Sequence, residues 1–299
     1  MFEDRAKLLV VDDTKANIDI LLELLEDDYD VAVALNGQDA LDAAKQDEPD
    51  LILLDIMMPG MDGYEVCTAL KANAATRDIP VIFITGKSDE ASIEQAFDVG
   101  GVDYLSKPFK PKELMVRLRT HLQLRQLIAH LEYVSSHDKM TGLFNRGKFF
   151  ELAQGLWNKD RNDICAAMLD IDQFKRINDN HGHPVGDRVI QGVAKVILKQ
   201  LGSHAVCARV GGEEFAVVWP SSDSAMVQAD LEAIRAGVVK LIVTTDAGVE
   251  VRCTISSGSA MPTPEMQELD DVLKEADDAL YQAKGSGRNR TIFRGSRAA

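Results

Sequence analysis

The sequence predicts two domains of different class: an α/β domain on a doubly wound parallel sheet, then an α+β domain with a mainly antiparallel sheet. A connecting coiled-coil helix joins them. Three observations carry this reading. Short aliphatic runs alternate with helical stretches up to about Leu118. No strong helix breaker occurs from Pro111 to about Ser136. Beyond His137, two apolar runs flank Gly211-Gly212-Glu213-Glu214, the pattern of a β-hairpin. A chain of 299 residues is long enough to bury two separate cores. The divisions predicted are 1–123, 124–136 and 137–299.

In order, Lys7–Val11 is a β-branched run ending in Asp12-Asp13, and Asn17–Leu25 has apolar residues at helical spacing. Val31–Ala34, Leu51–Asp55, Val81–Thr85 and Val102–Leu105 read as further buried strands with helices between them. In such a sheet, ligands bind beyond the carboxyl ends of the strands. Asp12, Asp13, Asp55, Thr85 and Lys107 therefore gather on one rim. Leu124, Leu127, Leu131 and Val134 recur at spacings of three and four, the seam of a short coiled coil; packing on the chain's own domain is the alternative for such a stripe. In the second half, Ile164–Ile171 is a strand, followed by helical patterns to about Lys199. The hairpin joins Val206–Val210 to Phe215–Trp219. A helix over Ser224–Lys240, a strand pair around Val249–Ala260, a helix over Asp270–Lys284 and a strand at Thr291–Arg294 complete the domain.

A formal net charge of -15 argues against nucleic-acid binding through bulk electrostatics. No apolar run approaches the roughly 20 residues of a membrane helix, and Met1–Lys7 is charged with no apolar signal segment behind it. The four cysteines are scattered without a C-x-x-C pair and read as reduced core thiols. A cytoplasmic protein without membrane insertion is expected.

Three carboxylates at strand ends repel one another, so a hard cation such as Mg²⁺ is their natural counterion. Asp55 then suits a nucleophile toward a phosphoryl group, with Lys107 neutralising the transferring oxygens. Lys107-Pro108 fixes a turn suited to a cis peptide bond. Asp12-Asp13, Asp55 followed by Met58-Pro59-Gly60, Thr85, and Lys107-Pro108-Phe109 stand in the order of a receiver domain, and about residues 5–125 resemble that response-regulator family. The resemblance implies Asp55 as phosphoacceptor, with Asp12, Asp13, Asp55 and the Met57 carbonyl as Mg²⁺ ligands. It implies Thr85 and Tyr104 as a switch pair assisted by Lys107, and a histidine kinase or phosphotransfer protein as partner.

In the second half, Asp170-Ile171-Asp172 ends a strand and sets two alternate side chains on one side of the sheet. The hairpin can bring Glu213 beside them, and a Gly-Gly turn lets a phosphate approach the backbone. Converging carboxylates suit Mg²⁺ clamping a nucleoside triphosphate. Lys175 and the Lys284-Gly-Ser-Gly-Arg288 loop offer cationic groups, while Asn178 and Asp187 suit a purine edge.

With the leading motif Asp138-Lys-Met-Thr141-Gly142-Leu143-Phe-Asn145-Arg146, these residues resemble the GGDEF family of diguanylate cyclases over about 135–294. The signature turn reads Gly-Gly-Glu-Glu-Phe. The resemblance implies a cyclase/palm-like fold in which Asp170, the Ile171 carbonyl and Glu213 bind Mg²⁺. Phe174, Asn178, His183, Asp187, Gly211 and Gly212 then form the GTP pocket, with Lys175, Lys284 and Arg288 on the phosphates and Glu214 helping to activate the attacking hydroxyl. The implied reaction condenses two GTP into cyclic di-GMP and two pyrophosphates in a homodimer, under control of Asp55 phosphorylation. The alternative reading is a catalytically silent scaffold that senses GTP or cyclic di-GMP. The Arg-x-x-Asp product-inhibition site of many relatives is replaced here by Gly202 and Ala205, so feedback inhibition through it is not expected.

Overall fold

The computed structural model describes residues 5–86 and 90–295; most of the charged Met1–Lys7 stretch lies outside them. The chain divides into two compact units, Met1–Leu131 and Glu132–Ala299.

In the first unit, β1 (Lys7–Val11), β2 (Asp30–Ala34), β3 (Leu51–Asp55), β4 (Val81–Thr85) and β5 (Asp103–Ser106) form an all-parallel sheet in the order β2-β1-β3-β4-β5. Every residue of β3 and β4 is buried. Continuous apolar runs such as Leu-Ile-Leu-Leu suit strands covered on both faces. The covering helices are α1 (Lys15–Leu25), α2 (Gly37–Gln46), α3 (Gly63–Ala72), α4 (Glu90–Asp98) and α5 (Pro111–Ser136). Leu9, Ile52, Leu54 and Phe83 pack on one face of the sheet, and Leu8, Leu51, Leu53 and Ile82 on the other. The fifth strand lies one residue later than predicted, although the Val102 amide already donates to the Val81 carbonyl of β4. Along α5, Leu114, Leu118 and Leu122 are buried, whereas Leu124, Leu127, Ile128 and Leu131 are about half exposed.

The second unit is built on the order β12-β11-β6-β8-β7. Here β6 is Cys165–Ile171, β7 Val206–Gly211, β8 Glu214–Trp219, β11 Ile255–Ala260 and β12 Thr291–Arg294. All neighbours are antiparallel except β11 and β12. The helices are α6 (Arg146–Lys159), α7 (Phe174–His181), α8 (His183–Leu201), α9 (Ser224–Val239) and α10 (Leu269–Gly285). The predicted strand pair around Val249–Ala260 is corrected. β10 (Glu250–Val251) pairs with β9 (Val243–Thr244), a strand not anticipated, while β11 joins the main sheet. Both partners of this ribbon are two residues long, too short for a periodic pattern to show in the sequence.

Helix α10 lies directly on β11 because Gly258 has no side chain. A Cβ there would stand 2.0 Å from the Leu280 amide nitrogen and 2.3 Å from the Ala276 carbonyl. Neither backbone atom can swing away as a side chain could. Gly258→Ala should therefore destabilise the second unit by about 3 kcal/mol. Denaturant unfolding followed at Trp157 and Trp219 reads this, and an unchanged midpoint would contradict the packing described.

Candidate functional site

Parallel strands place their carboxyl ends together, and the first acidic site is a direct result. Asp12 follows β1 and is fully buried; Asp55 ends β3 and is 4% exposed; Asp13 is exposed. One carboxylate oxygen from each lies within 4.8 Å of the others, the one three-acid grouping among the described residues with metal-like spacing. Asp12 accepts from the Thr14 amide at 2.9 Å and the Asn17 side chain at 3.0 Å. Lys107 Nζ bridges Asp12 Oδ2 at 2.8 Å and Asp55 Oδ2 at 2.7 Å, and the Lys107-Pro108 bond ahead of α5 is cis.

One lysine does not balance three acids. Burial, with the charge of Asp12 behind it, raises the Asp55 pKa despite Lys107. Lys107 is raised as well: burial lowers it, but its bonds to Asp12 and Asp55 prevail. Both shifts have the sign of a pocket with surplus negative charge, which a divalent cation relieves. The oxygen-only donor set fits Mg²⁺. Met57 donates its amide to Asp55 Oδ1 at 3.3 Å, so its backbone passes beside the cluster. Gly63 makes close approach possible, since a Cβ there would meet the Asp55 carbonyl at 2.3 Å. Thr85, 2% exposed, ends the neighbouring strand and lines a cleft of about 570 Å³ with Asp13, Met57 and Tyr64. Tyr104 on β5 is half-buried, edge-on to Phe97 and under the Arg117 guanidinium.

The second site sits where the β7–β8 turn meets the end of β6. Register sets Asp170 opposite Glu214, and the Ile171 amide donates to the Glu213 carbonyl at 3.3 Å. Glu213 and Glu214 are near enough to raise the Asp170 pKa, though burial is the larger cause. Lys284, on the last turn of α10, opposes both with an ion pair to Asp170 Oδ2 at 2.8 Å. Two lysines, one in each unit, thus lie against a buried strand-end aspartate. The oxygen groups at this corner, Asp170 with Glu213 and Glu214 of the turn, have the chemistry that suits Mg²⁺. Gly211 and Gly212 are both exposed, and Gly212 turns the chain at φ +48°.

Asp172 does not join this corner as its spacing predicted. Its carboxylate is occupied by Thr254, Ser256 and the Asn289 amide, because one residue past the strand the chain turns toward β11. Phe174 is buried at the start of α7, after Gln173 in the left-handed region. Asn178 has its Oδ1 buried without a partner, pressed against Gly186, where a Cβ would stand 2.0 Å away. A buried acceptor with no donor is costly and marks a place where a ligand or a turned amide supplies one. Lys175, His183, Asp187 and Arg288 are exposed. The wide groove of about 560 Å³ in this unit lies on another face of α7, along Gln173, Arg176 and Asn180, and contains none of the predicted nucleotide contacts except by adjacency.

Sequence reasoning missed Arg209. Its Nε donates to the Gly212 carbonyl at 2.9 Å and its Nη1 reaches Asp138 at 3.2 Å. It braces the signature turn against the leading motif, beside the bulge that separates Arg209 from Gly211. Burial pushes Asp138 up, but Thr141 and Arg209 outweigh it and hold the carboxyl below its usual range. A lone arginine in the apolar run Val206–Val210 was the available signal. In a double-mutant cycle with Arg209→Ala and Asp138→Ala, each change should cost about 1–2 kcal/mol of stability. The coupling should be about 1 kcal/mol; additive losses would mean the two side chains do not brace one another.

The chain matches the family model "Diguanylate cyclase, GGDEF domain" over residues 135–290, and "Response regulator receiver domain" over 8–119. It is 32% identical to "Response regulator PleD" of Caulobacter vibrioides over 254 residues, 81% of this chain and 56% of that protein. It is 35% identical to "Probable diguanylate cyclase DgcT" of Escherichia coli over 182 residues, 60% of this chain and 39% of that one. The chain thus spans about half the length of the curated relatives it matches. Among solved structures it resembles the coiled coil and GGDEF domain of DgcB from Caulobacter crescentus, in complex with c-di-GMP. There the identity is 32% and the TM-score 0.56, over 61% of this chain and 98% of that one.

Proposed function

This chain belongs to the GGDEF family of diguanylate cyclases and carries a response-regulator receiver domain ahead of that domain; on that premise we propose that it condenses two GTP into cyclic di-GMP under control of Asp55 phosphorylation. The observation that carries the reading is the acidic corner of Asp170, Glu213 and Glu214, with Lys284 bound to it. No helix of the described residues is long and apolar enough to cross a membrane; a cytoplasmic location is part of the proposal. We also keep the division into a receiver at 1–123, a coiled-coil helix at 124–136 and a cyclase domain at 137–299.

In each turnover a 3′-oxygen of one GTP attacks the α-phosphorus of the other in line. A new P–O bond forms, the bond to the β-phosphate oxygen breaks, and pyrophosphate leaves. The step repeats to close the ring. Catalysis of this kind is mostly positioning and charge neutralisation. Asn178 and Asp187 read the guanine edge, over Phe174 and beside His183. Lys175, Lys284 and Arg288 neutralise the phosphates, and Gly211-Gly212 let them approach the backbone. Glu214 helps to take the proton from the attacking hydroxyl. Asp170, the Ile171 carbonyl and Glu213 would hold Mg²⁺, which draws charge from the triphosphate oxygens. One domain holds one GTP, so two must face each other, and the half-exposed Leu124, Leu127 and Leu131 offer a seam for that homodimer.

In the receiver, Asp12, Asp13, Asp55 and the Met57 carbonyl would hold a second Mg²⁺. Asp55 takes the phosphoryl group from a histidine kinase, a phosphotransfer protein or a small phosphodonor. Lys107 then neutralises the acyl phosphate and Thr85 donates to it, with Tyr104 moving in concert.

Full-length protein given Mg²⁺, a small phosphodonor and GTP should release pyrophosphate and form cyclic di-GMP. Glu213→Gln should lower kcat by about 10²-fold or more. Asp55→Asn should keep the unphosphorylated rate and lose the rise that the phosphodonor gives; equal turnover by phosphorylated wild type and Asp55→Asn contradicts the control. Gly202 caps α8, and His204 beside it is committed to Asp230 at 2.8 Å. With neither an arginine at 202 nor an aspartate at 205, the rate should hold steady as cyclic di-GMP accumulates. A collapse relieved by changing residues 202–205 would overturn this.

A further inference from the structure

Asp172 is 6% exposed and accepts three hydrogen bonds. Thr254 Oγ1 and Ser256 Oγ each donate at 2.6 Å, and the Asn289 backbone N–H donates at 2.9 Å. Hydroxyls and one amide satisfy it without a cationic partner among the described residues. It is therefore spent within the protein rather than offered to a metal.

The amide it holds belongs to a turn that needs holding. Gly287, Arg288 and Asn289 have φ of +113°, +62° and +48° in succession. Glycine adopts this region freely, but consecutive arginine and asparagine do not and persist only where neighbours fix them. Beyond the bond from the Arg288 amide to the Ala283 carbonyl at 3.1 Å, two side chains from elsewhere in the fold do so. One is Asp172; the other is Arg235 on α9, whose Nη1 donates to Asn289 Oδ1 at 2.8 Å. Glu232 in turn holds the Arg235 guanidinium at 2.6 and 2.8 Å.

This turn directly follows the helix end that carries Lys284. The end of β6 therefore grips one arm of the protein twice. Asp170 grips it by the Lys284 charge, a contact that an anionic ligand can compete away. Asp172 grips it by a backbone amide, at a carboxylate only 6% exposed to solvent. We propose that Asp172 is a positioning residue for the outer phosphates: it latches the Gly287–Asn289 turn to β6, so that Arg288 and Lys284 meet a triphosphate already in place. The latch rests on the GTP-binding reading above. Its benefit is preorganisation, since a loose turn must be ordered at the moment of binding.

Asp172→Ala removes the acceptor of the Asn289 amide together with that of the two hydroxyls. Isothermal titration of the full chain in Mg²⁺ would use 3′-deoxy-GTP, which lacks the attacking hydroxyl, and guanosine monophosphate, which lacks the outer phosphates. The variant should bind 3′-deoxy-GTP about tenfold more weakly and the monophosphate within about twofold of wild type. Asp172→Ser, whose hydroxyl is too short to reach the Asn289 amide but can still bond its neighbouring hydroxyls, should shift the same ratio in the same direction, and it decides the matter alone if Asp172→Ala does not fold. Variants that bind 3′-deoxy-GTP like wild type, or that lose both ligands equally, overturn the latch. Wild type that binds neither ligand overturns the GTP reading and the latch with it.

Discussion

Surplus negative charge, buried at the ends of strands and only partly countered by lysine, is the constraint on which both sites depend. Asp12 and Asp55 share Lys107; Asp170 has Lys284. In both places burial and neighbouring acids raise a carboxylate's pKa although a lysine touches it. Protein folding alone gives no reason to assemble such corners, since removing them from water costs free energy that one ammonium group does not return. Their chemistry suits a divalent cation and a phosphoryl group, and the surrounding fold makes the assembly possible.

The two folds reach this arrangement by different routes. In the parallel sheet, adjacent strands end at one rim, so Asp12, Asp55 and Thr85 meet without any special turn. The antiparallel sheet has no such rim, and the corner is made by a tight turn. Glycine at 211 and 212 lets β7 and β8 reverse beside the end of β6, and Arg209 braces the reversal against Asp138. The proposed phosphorylation thus rests on strand ends, and the proposed condensation on a hairpin whose position must be held from outside.

Much of this was legible in the sequence because it follows from local periodicity and ordered motifs. Continuous apolar runs gave the parallel strands, and Asp12-Asp13, Asp55 and Lys107 fall at their ends. What was not legible depends on long-range hydrogen bonds. Asp170 and Asp172 look equivalent at a spacing of two, yet one lies beside Glu214 and Lys284 and the other is buried against β11 and Asn289. Arg209 stands in an apolar run, and only the fold shows it reaching back to Asp138, 71 positions away. The β9–β10 ribbon is too short to leave a period. Gly186 and Gly258 are needed because other backbone or side-chain atoms approach them, a fact of packing that no spacing encodes.

Phosphorylation at Asp55 is proposed to act through dimer rearrangement, by letting two cyclase domains meet. The most direct measurement is the initial rate of cyclic di-GMP formation as a function of chain concentration, with and without phosphodonor. The rate should rise with the square of concentration when the chain is dilute, and become linear at a lower concentration once Asp55 is phosphorylated. A rate strictly proportional to concentration over the whole dilute range, unaltered by phosphorylation, would contradict it.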